Sequence, residues 1–284
     1  MIYLLFRKNN KMILSETDIE NWDNFLTQMS VKNIIGDTYF CNNTITLVPL
    51  DERILMAYKS KNIKLLSEQL AEILYDYHID LINDDYFVKI SCISGKDILY
   101  NSSDDDDILT TNESIEDFWH DMNISTRKLI MKNLPDLCDY LLNSERIALW
   151  IESSKFLAFR KWINYYVEEE FRCFIYNKKL VAISQYEYGN KLPHQMQCSD
   201  LIIKAIKNFV DQVNIPYINV VMDVAFHISN FDVYFIEFNA FGLYSDTDAG
   251  LYDWCHDSDI LHSDGRHIDI RLFDMKFIEQ KFQV

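Results

Sequence analysis

Two apolar runs near the C-terminal end each carry charge where strands of this kind carry none: INVVMDVAF, Ile218–Phe226, and VYFIEFNAFG, Val233–Gly242. A carboxylate inside an apolar strand is strongly disfavoured unless something compensates it. Side chains of a strand alternate between faces, so Val233, Phe235, Glu237 and Asn239 are expected on one face and Tyr234, Ile236 and Phe238 on the other. Glu237 and Asn239 then point the same way, about 7 Å apart along the strand. The polar connection HISNFD, His227–Asp232, joins the two runs as a hairpin and sets Asp223 opposite Ile236 or Glu237. Asp223, Glu237 and Asn239 thus converge on one face of a two-stranded ribbon. Two carboxylates this close repel, and a hard divalent cation such as Mg²⁺ relieves the repulsion by taking oxygen ligands. Singly, each residue reads as a polar tip at a sheet edge; together the three favour a metal.

A metal held by two or three side chains commonly shares its other positions with substrate phosphates. Neither nucleotide-binding glycine fingerprint is present, and Gly95-Lys96 in SCISGKD is a bare pair without the upstream glycine. The chain instead places lone bases in apolar strands: Lys89 in YFVKISCI, Arg160 in FLAFRKWI and Arg172 in EFRCFIY. Packing alone does not call for Lys or Arg there. For Arg172 a plainer account exists, because Glu170 lies on its own face and can neutralise it; Lys89 has no such neighbour nearby in sequence. Three cations and three metal ligands on separate strands describe a clamp for a Mg-nucleotide between two sheets.

The rest of the chain reads as a mixture of helices and strands with late antiparallel hairpins, an α+β or mixed α/β pattern. Leu66, Leu70, Ile73, Leu74 and Tyr77 mark one helical face. LPDLCDYLLNSERIALWI reads as a helical stretch with Pro135 in its first turn, and Ser199–Val213 as an amphipathic helix. Glu170–Tyr186 reads as a hairpin about a short polar turn. No Gly/Pro linker divides the 284 residues, so one intermingled unit is expected, with an N-terminal part of about 1–150 and a C-terminal part of about 151–284.

Composition narrows the partners. Net charge is −17, which repels a phosphodiester backbone and disfavours RNA without excluding a local basic cleft. No apolar run approaches the roughly 18 residues of a membrane span, and MIYLLF is too short for a secretory signal. The six scattered cysteines read as reduced core thiols, so a cytoplasmic protein is expected. The acidic run Asn101–Asp107 lacks the spacing of a calcium loop, and His256, His262 and His267 with Cys255, Asp257 and Asp259 fit no zinc pattern.

Five blocks in order carry a family resemblance: FVKISCISGKD (Phe87–Asp97), LLNSERIA (Leu141–Ala148), FRKWINYYVEEEFRCFIYNKKLVAISQY (Phe159–Tyr186), the pair VVMDVAF and FIEFNAFG, and DAGLYDW (Asp248–Trp254). The chain resembles the cell division cycle protein 123 family, a divergent clade of the ATP-grasp fold. The resemblance implies an α+β ATP-grasp architecture with two subdomains clamping Mg-ATP between antiparallel sheets. It implies phosphate contacts from Lys89 and Arg172, with Arg172 the best candidate for any catalytic role. It implies a strand from Arg160 to Ile163 along the adenine, read by backbone groups of Trp162 and Ile163, and Mg²⁺ ligation by Asp223, Glu237 and Asn239. Gly95 and Ala240 stand where the family carries proline. The functions implied are ATP-dependent assembly of translation initiation factor 2 through its gamma subunit or, alternatively, an ATP-grasp ligase acting on RNA ends or on a peptide. An inactive nucleotide-binding scaffold is the third reading.

Overall fold

The computed structural model describes residues 45–90, 129–162, 169–186, 199–227, 231–243, 245 and 247–272. These fall into two compact units, with the break between Trp162 and Glu169. Each unit is built on its own sheet.

In the first unit the sheet order is β1-β4-β2-β3, formed by β1 (Ile45–Pro49), β2 (Tyr86–Ile90), β3 (Ile130–Met131) and β4 (Phe156–Lys161), all antiparallel. Because β4 pairs with both β1 and β2, it belongs here, past the approximate boundary of 150 read from the sequence. Among the described residues four α-helices accompany the sheet: α1 (Glu52–Lys59), α2 (Ile63–Asp76), α3 (Leu134–Asn143) and α4 (Glu145–Trp150). The apolar stripe of α2 (Leu66, Leu70, Ile73 and Leu74) is buried in one core with Val48, Val88, Leu157 and Phe159 of the sheet. Tyr77 leaves that stripe, since the helix ends at Asp76 and Tyr77 caps it. Tyr140 of α3 donates to the Val88 carbonyl at 2.6 Å, which ties the helix layer to the strand carrying Lys89.

The single helical stretch expected from Leu134 to Ile151 is instead two helices, Leu134–Asn143 and Glu145–Trp150. Asn133 caps the first, accepting from the Asp136 amide at 2.8 Å. At Ser144 the backbone turns extended (φ −79°, ψ 119°), and its hydroxyl accepts from the Ile147 amide at 3.1 Å, starting the second helix. Serine competes for backbone donors in this way, which is why it favours caps over helix interiors.

The second unit has sheet order β8-β7-β5-β6-β9, from β5 (Glu170–Tyr176), β6 (Lys179–Gln185), β7 (Val220–His227), β8 (Asp232–Asn239) and β9 (Asp269–Arg271). All pairs are antiparallel except β6 with β9. The β5–β6 hairpin is confirmed, with Asn177 and Lys178 both at positive φ (49° and 65°), as a two-residue turn matched to strand twist requires. Helix α5 (Ser199–Gln212) packs against β6 and β8, burying Ile202, Ile206, Phe209 and Val210. A short helix, α6 (Ser258–Leu261), lies against β6.

Ser144→Ala removes the cap at the break between α3 and α4 and leaves the buried Ile147 amide without its acceptor. The expected loss is about 0.5–2 kcal/mol of unfolding free energy, read as a lower urea midpoint at unchanged slope.

Candidate functional site

The site builds from a register. Asp223 of β7 pairs with Glu237 of β8, one of the two positions expected from the sequence. The ladder then slips between Asp223 and Val224, because Ile236 is an extra residue on β8. The bulge keeps Glu237 and Asn239 on the face of Asp223. It moves Val233 and Phe235 to the opposite face, where the Phe235 and Phe238 rings stand 4.7 Å apart. Strict alternation had put Val233 and Phe235 beside Glu237; the extra residue reverses that assignment. Asn239 Nδ2 lies 2.8 Å from Asp223 Oδ2 and 3.4 Å from Glu237 Oε1, so the three side chains do converge.

On the other side of Asp223, β5 sets Arg172 directly across the ladder. Arg172 Nε donates to Asp223 Oδ1 at 2.9 Å and its Nη2 to Oδ2 at 2.8 Å. This two-pronged contact is the geometry in which guanidinium and carboxylate bind most strongly. The carboxylate that neutralises Arg172 is therefore Asp223, not the neighbouring Glu170. Both members are buried, at 4% and 0% exposure. Burial works against the Arg172 charge, but the facing Asp223 carboxylate outweighs it and holds the guanidinium firmly protonated. The Arg172 guanidinium also lies 4.5 Å from the centre of the Tyr186 ring.

The polar row continues across the sheet. Ser184 of β6 pairs with Arg172, and Arg271 of β9 with Ser184. Over this row runs the segment 247–254. Arg172 Nη1 donates to the Asp248 carbonyl at 2.5 Å, the Leu251 amide donates to Ser184 Oγ at 2.9 Å, and Arg271 Nη1 donates to the Leu251 carbonyl at 3.1 Å. Farther along, Trp254 Nε1 donates to the Thr247 carbonyl at 2.9 Å, and Trp254 packs with Phe174 and Phe241. Sequence reasoning did not single out Ser184, Gly250 or Arg271. The glycine in DAGLYDW and the lone arginine in IDIRLF were the available signals.

The remaining expected residues sit on the first unit's sheet. Lys89 pairs with Ala158, and Arg160 with Phe87, so the two bases share one face, diagonally related across β2 and β4. The opposite face, with Val88, Ile90, Leu157 and Phe159, is the one packed in the helical core. Trp162 follows β4; its amide donates to the Asp85 carbonyl at 2.8 Å, and its ring packs against that same core. Ile163, Gly95, Lys96 and the run Asn101–Asp107 lie outside the described residues.

The oxygen donors of Asp223, Glu237 and Asn239 suit a hard divalent cation. Turning the Asn239 amide over would present its oxygen instead of its nitrogen, and the two orientations are nearly isosteric. Among the described residues no group of three His, Cys, Asp or Glu side chains is placed to hold a metal; the present set takes its third oxygen from an amide. His256 contacts Asp253, His262 contacts Ser258, and Asp257 is paired with Arg271, so these do not gather into one site. Cys138 and Cys173 are buried and Cys255 is exposed. No helix among the described residues is long and apolar enough to cross a membrane.

Comparisons with known proteins agree with this architecture. A CDC123-like protein of Acanthamoeba polyphaga mimivirus is 32% identical over 253 residues, covering 84% of this chain and 69% of that protein. The translation initiation factor eIF2 assembly protein of Xenopus laevis is 35% identical over 101 residues, which span 34% of this chain and 29% of that relative. Among solved structures, Cdc123 from Schizosaccharomyces pombe superposes with a TM-score of 0.66 at 17% identity, covering 93% of this chain and 98% of that one. That likeness establishes the α+β, ATP-grasp-like fold. The D123 family model matches residues 128–283, and with the 32% identity to the viral relative it shows that the chain belongs to the D123 (Cdc123) family.

Proposed function

We propose that the chain binds Mg-ATP and, in that state, assists assembly of translation initiation factor 2 by meeting its gamma subunit. The observation that carries the nucleotide part is the convergence of Asp223, Glu237 and Asn239 on one side of a bulged ribbon. On this reading Mg²⁺ takes oxygens from these three, and Lys89 and Arg160 supply cationic contacts to the nucleotide. Arg172 compensates the Asp223 charge through the two-pronged contact and also feels the Glu237 carboxylate, so the net charge the site offers a cation is small. A hard dication held so sparsely favours sites that phosphates complete, and this accounts for a metal arriving with its nucleotide. The partner rests on family membership and on the relatives known as eIF2 assembly proteins, whose matched stretch is short. The net charge of −17 favours a protein partner over RNA.

Calorimetry with ATP and Mg²⁺ tests the site. Lys89→Ala and Asp223→Asn each remove a charged contact of about 1.5–3 kcal/mol, so each should weaken binding by about ten- to hundredfold. Full affinity in both variants would show the site to be elsewhere. Asp223→Asn keeps one side-chain acceptor for Arg172, but like Asp223→Ala it removes the buried counter-ion, so urea unfolding is recorded for both variants. That alanine variant should lose about 3–5 kcal/mol of stability, measured by urea unfolding.

A pull-down with the isolated gamma subunit of initiation factor 2 tests the partner. Retention is expected with Mg-ATP and reduced in Asp223→Asn; no retention under either condition rejects the assembly reading. AMP release that depends on added RNA would instead establish ligase chemistry.

A further inference from the structure

The segment Asp248–Leu251 is held at three points, all on the same polar row of the second sheet. At one end its Asp248 carbonyl accepts from Arg172, the residue that grips Asp223. In the middle its Leu251 amide is seated on Ser184 Oγ. At the other end Arg271 donates to the Leu251 carbonyl while gripping Asp257 through both Nη atoms, at 2.8 and 2.6 Å. The two arginines are alike in construction. Arg271 lies 4.1 Å from the Tyr252 ring centre, as Arg172 lies 4.5 Å from that of Tyr186.

Gly250 is what lets the segment come this close. Its φ is +61°, and a Cβ at this position would stand 2.5 Å from Ser184 Oγ and 3.1 Å from Ser184 Cβ. Both the conformation and the space exclude a side chain. The Asp248 carboxylate turns back to accept from the Gly250 amide at 3.1 Å, which tightens the bend. The outcome is a backbone strap whose carbonyl fixes the third prong of Arg172.

We propose that this strap is the positioning element of the metal site: Gly250 and Ser184 hold the Asp248 carbonyl in place, and through Arg172 they set the orientation of Asp223. Neither Gly250 nor Ser184 reaches Asp223, so both act as positioning residues. The proposal rests on the reading that Asp223 ligates the metal of Mg-ATP. Arg172 has a choice of orientations about the carboxylate, and the strap carbonyl selects one. Without it the two-pronged contact can rotate, and the Asp223 oxygens lose the alignment shared with Asn239 and Glu237.

The test is calorimetric titration of ATP into the full chain, in Mg²⁺ and separately in EDTA, with thermal melting recorded alongside. Gly250→Ala should weaken binding about tenfold in Mg²⁺ and leave the affinity in EDTA unchanged. Ser184→Ala, which removes the acceptor for the Leu251 amide but adds no clash, should move the same quantity in the same direction by a smaller factor. It also serves if Gly250→Ala does not fold. Equal loss in Mg²⁺ and EDTA would mean a general structural role and overturn the proposal. So would wild-type behaviour of both variants while Asp223→Asn loses Mg²⁺-dependent binding; the nucleotide site itself would then stand. Absence of Mg²⁺-dependent ATP binding by the wild-type chain overturns both readings together.

Discussion

The second sheet is organised around one buried ion pair. Arg172 and Asp223 sit on adjacent central strands, both almost wholly removed from water. Taking two such charges out of water is costly, and their attraction offsets that cost only when geometry is good and the remaining polar atoms are satisfied. Both conditions hold here. Two guanidinium nitrogens meet two carboxylate oxygens, Asn239 donates to Asp223 Oδ2, and the Asp248 carbonyl accepts from Arg172 Nη1. The pair therefore requires the strap on one side and the β8 amide on the other. Ribbon, strap and sheet centre are parts of a single polar network, and a network of this kind stands or falls on full satisfaction.

What could be read from the sequence, and what could not, follows from the distance over which each feature is decided. Asp223, Glu237 and Asn239 were legible because a short connection joins their two strands and a lone acid in an apolar run is conspicuous. The bulge at Ile236 was not legible. One unpaired residue leaves no mark in local composition, yet it moves Val233 and Phe235 to the opposite face. Glu170 was the obvious neighbour for Arg172 two residues away, yet the partner came from β7, 51 residues along the chain. Local spacing cannot rank those two, because the choice is made by which strand β5 pairs with. Lys89 and Arg160 stood out as lone bases, but their shared face emerges only from the pairing of β2 with β4. In the helices, the serine that splits Leu134–Trp150 was visible as a cap residue, and only the cap bond to Ile147 shows that it is used.

The first sheet divides its labour between its two faces. One, with Val88, Ile90, Leu157 and Phe159, is covered by helices and supplies the core. The other carries Lys89 and Arg160. Both are buried, at 7% and 9% exposure, so this face holds its charges largely out of water, with the apolar core on the other face. The Tyr140 hydroxyl on the Val88 carbonyl fixes β2 against α3 one residue from Lys89. A base anchored in this way loses little further freedom on meeting an anion, which is what preorganisation contributes to binding.

The same logic governs the acidic site in the opposite sense. Were Asp223 without Arg172, the ribbon would bring two carboxylates together, and their repulsion would favour protonation of one. With Arg172 in place, the charge of Asp223 is maintained, its two oxygens are oriented, and the net charge of the group is low. A site built this way gives up raw attraction for a dication in exchange for alignment. On the proposed reading, that choice makes metal binding depend on the phosphates arriving with it, and it explains why the strap has its glycine. A backbone carbonyl can hold an arginine only where the chain itself comes close, and a residue without Cβ lets the backbone approach Ser184 closely enough to place it.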